Sequence, residues 1–160
     1  MKKLLFIFCF SGLFFNGKAQ DIPSYSFEEL EEKIITESEE RALVVNFWAT
    51  WCAPCIKELP YFESLTEAYA PDKLKVLLVS LDMDKERAVK FKEKKKLQSD
   101  VAYLDEVDFN KWIDKISPDW SGAIPATLMI SPEGNSSFYE GEFTKEELYE
   151  QVKRFFNKTD

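Results

Sequence analysis

The 160-residue sequence contains no histidine. That absence removes Ser-His-Asp and Cys-His catalysis, histidine-based zinc sites and haem ligation by imidazole. Any chemistry falls to thiols, carboxylates, hydroxyls or the backbone. Cysteine is scarce, at three residues, and 5 Gly with 7 Pro exclude collagen-like, elastic and low-complexity chains. Basic charge is in the minority: 21 Lys+Arg against 29 Asp+Glu leave a net charge of −8. An acidic chain repels phosphate backbones unless it segregates a basic face, so nucleic acid is not an expected partner. The one basic cluster, Lys92, Lys94, Lys95 and Lys96, reads as a solvated helix face, with a dock for an acidic partner as the alternative.

Long apolar runs are also missing. The longest, at 4–15, is interrupted by Ser11 and Gly12 and falls short of the roughly 20 residues a membrane span needs. Residues 1–20 read instead as a secretory signal peptide. Lys2 and Lys3 supply its positive start, and the small residues Gly17 and Ala19 favour cleavage before Gln20. An uncleaved anchor is the second reading. Cys9 lies within the apolar run and reads as one more apolar residue of it. Residues 21–160 then form one exported domain, expected to be a monomer. It retains two cysteines, Cys52 and Cys55, in a compartment where thiols meet oxidants.

What is plentiful is apolar material, 45% hydrophobic and 15% aromatic residues, enough for a ring-rich core. Ser26 and Glu29 form a capping box that opens an amphipathic helix over 26–39, with Phe27, Leu30 and Ile34 inward. The continuous apolar run 42–48 (ALVVNFW) has the character of a strand covered on both faces. A helix follows over 52–69, with Pro54 in its first turn and Pro60 bending it. A buried strand is expected at 74–81, a charged helix anchored by Val89 and Phe91 at 85–97, and a short strand at 101–104. A short helix at 108–116 precedes strands at 126–130 and 136–140, joined by a Pro-Glu-Gly-Asn turn. Thr144 and Glu147 cap a final helix that buries Leu148, Val152 and Phe155 or Phe156. This alternation predicts an α/β fold, a mixed central β-sheet flanked by helices on both faces and closed by an antiparallel hairpin.

Cys52-Ala53-Pro54-Cys55 stands where a buried strand hands over to a helix. A zinc site needs two further good ligands, and the exported chain has neither another Cys nor a His. A purely structural disulfide closing so short a loop constrains little chain entropy. A redox dithiol fits the position better. Cys52 at a helix N-terminus meets unpaired N–H groups and the macrodipole, which favour the thiolate, and Cys55 lies one turn on and deeper.

The segment 44–55 (VVNFWATWCAPC) resembles the active-site segment of thioredoxin-fold proteins, and within them the exported TlpA/ResA-like thiol–disulfide oxidoreductases. The segment 122–128 (GAIPATL) resembles their loop carrying a cis-proline before the next core strand, and the turn 131–134 also matches. The resemblance spans about residues 42–157. It implies that Cys52 is the nucleophile, that Cys55 resolves the mixed disulfide, and that Pro125 is the cis-proline facing the sulfurs. It further implies that the Ile124 backbone pairs with an extended substrate segment, and that Trp51 packs beside the sulfurs as an apolar platform.

One departure concerns the proton. Thioredoxins usually carry a buried acid six positions before the first cysteine, where this sequence has Asn46. The TlpA/ResA-like pattern instead places an acid after the motif, and Glu58 matches it, three residues beyond Cys55. Glu58 is therefore expected to exchange the proton as Cys55 changes state. Trp120, just before the proline loop, could line a substrate groove or cap the core.

The implied activity is disulfide reduction in partner proteins of the cell envelope, without a bound cofactor and with electrons from a membrane donor. An oxidase or isomerase using the same cysteines remains open, as does a peptide-binding module with a merely structural disulfide. Nothing near Cys52 resembles the Thr-and-Arg surroundings that peroxidatic cysteines use.

Overall fold

The computed structural model describes residues 21–156. The expected signal segment 1–20, with Cys9, lies outside the described residues. The elements are β1 (Ser24–Tyr25), α1 (Phe27–Glu40), β2 (Ala42–Trp48), α2 (Ala53–Ala68), β3 (Leu74–Ser80), α3 (Lys85–Lys95) and β4 (Asp100–Leu104). After a 3-10 turn (Phe109–Lys111) come α4 (Ile113–Ile116), β5 (Ala126–Ile130), β6 (Ser136–Glu140) and α5 (Lys145–Phe156). The strands form one six-stranded sheet in the order β1-β4-β3-β2-β5-β6. Strands β1 to β4 run parallel to one another where they pair, while β5 is antiparallel to both β2 and β6.

Side-chain alternation along β2 divides the molecule into two cores. Leu43, Val45 and Phe47 point to one face and pack with Phe27, Leu30 and Ile34 of α1. Val44 and Trp48 point to the other, among Leu59, Phe62 and Leu65 of α2 and Leu148 and Val152 of α5. Both faces of β2 are thus covered, which is why its run is apolar without alternation. Asn46 is the polar exception. Its place in the alternation turns it toward α2, and its register partner across the sheet is Thr127.

Both capping boxes form. Ser26 N–H donates to Glu29 and Glu29 N–H to Ser26 Oγ, and Thr144 and Glu147 repeat the exchange. The hairpin turn closes through Gly134 N–H to the Ser131 carbonyl, with Gly134 at φ +80°, where a side chain would be strained. Lys94, Lys95 and Lys96 are exposed at the end of α3, and Lys92 is half-buried.

Two expectations need correction. The helix at 108–116 is broken at Trp112, where φ is −135° and the helical path is lost. The Trp112 indole is fully buried there, stacked on Phe27, tilted against Phe47 and edge-on to Trp120. Seating so large a ring outweighs continuing a short helix. Strand β1 was not anticipated. Two residues give no periodicity, and its parallel pairing with β4 (Ser24↔Tyr103, Tyr25↔Leu104) exists only in the tertiary fold.

Candidate functional site

The site is built where β2 ends and α2 begins. Cys52 is the N-cap of α2, and its sulfur accepts the Cys55 N–H at 3.3 Å. Cys55 lies one turn on and is fully buried, whereas Cys52 retains 5% exposure. The two are joined as a disulfide. Pro54 occupies the first turn of α2, where its missing N–H leaves no bond unmade. On reduction, the same N–H and the helix dipole favour the Cys52 thiolate.

The loop facing the disulfide comes from the other side of β2. The Ile124–Pro125 peptide is cis. The Ile124 carbonyl oxygen lies 3.6 Å from the Cys52 sulfur, and the Ile124 N–H donates to no group among the described residues. Several bonds hold this loop. Trp120 Nε1 donates to the Ala123 carbonyl at 2.8 Å, Ser121 donates twice to Glu140, and Gly141 N–H donates to the Pro125 carbonyl. Trp120 therefore caps the core, packed on Phe47 and Phe138, while its indole N–H fixes the loop.

Glu58 projects from α2 on the same buried face as Cys55 and is fully buried. Its Oε1 accepts from Asn46 Nδ2 at 2.9 Å and its Oε2 from the Phe143 N–H at 2.8 Å. Burial pushes its carboxyl up to about 7, against the pull of those two donors; the charge of Glu142 adds to the rise. Glu142 is itself paired with exposed Lys57. Asn46 cannot titrate, yet it is joined to the group that can. The sequence signal for this cluster was a polar residue inside each of two apolar strands, Asn46 in β2 and Thr127 in β5.

Sequence reasoning missed a second anchor. Asp82, buried two residues beyond β3, accepts the Thr50 N–H and hydroxyl and the Ser80 hydroxyl. It ties the turn entering the cysteine pair to the neighbouring strand. Trp51 does not fold back into the protein. It is 59% exposed and lines a groove of about 600 Å³ with Met83 (93% exposed), Val107 (84%) and Phe109. Among the described residues, four of the six large exposed hydrophobics thus share one groove, where they would ordinarily be scattered. Its charged lining is acidic, Asp82 and Glu106, and Ser121 and Gly122 connect it to the proline loop.

The chain and its fold are similar to known proteins. A sequence model of the AhpC/TSA family matches residues 18–136. The chain belongs to the AhpC/TSA family, within the thioredoxin-like proteins. It is 31% identical over 144 residues to the thioredoxin-like protein YneN of Bacillus subtilis, covering 84% of this chain and 78% of that protein. It is 27% identical over 133 residues to the thiol-disulfide oxidoreductase ResA of Geobacillus thermodenitrificans, covering 81% and 73%. The thioredoxin domain of a thiol-disulfide oxidoreductase from Bacteroides vulgatus superposes with a TM-score of 0.63 at 23% identity, over 75% of this chain and 82% of that one. The fold is thioredoxin-like and the chain is a thiol–disulfide oxidoreductase of the ResA type.

Proposed function

We propose that this oxidoreductase is an exported reductant of disulfides in partner proteins of the cell envelope, acting as a monomer and recharged by a membrane electron donor. The observation that carries the reading is the placement of Cys52: at a helix N-terminus, slightly exposed, beside the Ile124 carbonyl, with Cys55 buried behind it. Among the described residues, no helix is long and apolar enough to cross a membrane.

In the reduced enzyme the Cys52 thiolate attacks one sulfur of the partner's disulfide, forming a mixed disulfide and releasing the other sulfur as a thiolate. Cys55 then loses its proton to Glu58 and attacks the Cys52 sulfur. The Cys52–Cys55 disulfide closes and the partner leaves with both sulfurs reduced. Two electrons have passed to the partner, and a donor dithiol returns two by the reverse exchange. Ile124 offers its N–H and carbonyl to an extended partner segment beside Pro125. The groove at Trp51, Met83 and Val107 takes an apolar side chain of that segment, and Glu106 favours a partner with basic residues next to its cysteines.

The deciding measurement is the reduction potential of the Cys52–Cys55 pair against defined thiol–disulfide buffers, read by Trp48 and Trp51 fluorescence. A value near or below about −250 mV, in the thioredoxin range, is expected for a reductant. A value near about −120 mV, in the range of strong periplasmic oxidants, would reverse the direction.

A further inference from the structure

Three side chains from three elements meet behind the cysteines: Glu58 from α2, Asn46 from β2 and Thr127 from β5. Asn46 Nδ2 donates both to Glu58 Oε1, at 2.9 Å, and to Thr127 Oγ1, at 3.2 Å. Asn46 Oδ1 is buried and has no hydrogen-bond partner among the described residues. The other carboxyl oxygen, Oε2, is occupied by the Phe143 N–H.

This set of bonds suits a carboxylate, in which both oxygens accept. It does not suit a carboxylic acid. The Phe143 N–H can only donate, so Oε2 must remain an acceptor and an added proton belongs on Oε1. There it would point at an amide N–H. A side-chain amide can remove the conflict, because a half-turn exchanges Nδ2 and Oδ1 in nearly the same volume. Oδ1 would then accept the Glu58 O–H. It would also accept from Thr127, whose hydroxyl is an acceptor in one state and a donor in the other.

We propose that Asn46 is a two-state positioning residue whose amide turns over when Glu58 gains or loses its proton, leaving the carboxyl hydrogen-bonded in both states. The turn carries a bias. In the ionised state one amide oxygen is left unpaired, whereas after the turn the amide N–H groups occupy that unpartnered side. The network therefore opposes protonation while burial favours it. Two charged groups bear on Glu58, the carboxylate of Glu142 beside Phe143 and Lys57, which pairs with Glu142; Cys55, on the same helix face, is held in the disulfide and carries no thiol proton here. Asn46 and Thr127, which face Glu58 from the sheet, carry no charge in either state.

The proposal rests on the reading that Glu58 exchanges a proton during turnover, and its test separates the two. In oxidised, isotope-labelled protein, the Asn46 side-chain amide and the Glu58 carboxyl carbon are followed by NMR from pH 5 to 9. The expected result is a single shared midpoint. On its acid side the Nδ2 protons shift upfield and lose their cross-peaks to Thr127; in Glu58→Gln the amide no longer titrates. Amide resonances that hold still through the Glu58 midpoint would make Asn46 a fixed donor and overturn the proposal. Separately, the pH profile of Cys alkylation is measured in reduced wild type and Glu58→Gln. Coincident profiles would overturn the proton role of Glu58 itself, and a changed profile with a static amide would overturn only the turning of Asn46.

Discussion

Replacing Glu58 with Gln should change how stability depends on pH, and the size of the change follows from where the carboxyl sits. In the folded protein Glu58 keeps its proton to about pH 7, whereas its ordinary value is 4.5. Between those values the folded state binds the proton and the unfolded state does not. The group's contribution is therefore full below pH 4.5, declines as pH rises, and is gone above about 7. At about 1.4 kcal/mol per pH unit, the loss across that window amounts to about 3 kcal/mol. Glu58→Gln is isosteric and does not titrate. Urea denaturation of both oxidised proteins, followed by tryptophan fluorescence at several pH values from 4.5 to 8, checks this. The stability difference should move by about 3 kcal/mol in favour of the variant as pH rises. Glu37, Glu133 and Glu147, held below the usual carboxylate range by their hydrogen bonds, titrate alike in both proteins and cancel. A difference that moves by less than about 1 kcal/mol would mean that Glu58 is ionised throughout, and the argument from burial would fail.

Two further outcomes are expected. Met83→Asp and Val107→Asp alter exposed groove residues, so they should leave the melting temperature and reduction potential unchanged. Each should raise the KM for a disulfide-containing partner protein several-fold, and an unchanged KM would remove the groove from partner binding. Asp82→Ala strands the Thr50 N–H and the Thr50 and Ser80 hydroxyls, a loss of roughly 2–4 kcal/mol by hydrogen-bond deletion. Slower reduction of a partner by the variant, measured where it is still fully folded, would show that this anchor positions the turn before Cys52.

The fold was legible because its sequence signals are local. ALVVNFW reads as a doubly covered strand and LKVLLVSL as a second buried one, one residue longer than the β3 observed, and the two capping boxes mark where α1 and α5 begin. The cysteine pair was legible because two thiols three apart, at a strand-to-helix junction and without further ligands, have few chemistries open to them. Trp112 and Trp120 were harder to read. Their places depend on a cluster assembled from Phe27, Phe47, Phe109 and Phe138, residues far apart in the chain. The groove was invisible for the same reason, since Trp51, Met83 and Val107 lie on three separate connections.

The order of elements, the two-sided core and the thiol pair follow from residues close in the chain. The character of Glu58 comes from long-range packing. The spacing from Cys55 placed it one turn along a helix, where a glutamate is ordinarily solvated. Closure of α2 against β2, β5 and the segment leading into α5 took it out of water and brought it the Asn46 amide and the Phe143 N–H. A carboxyl's affinity for its proton depends on solvent access and on donors within reach, and both were set here by segments up to 85 positions away.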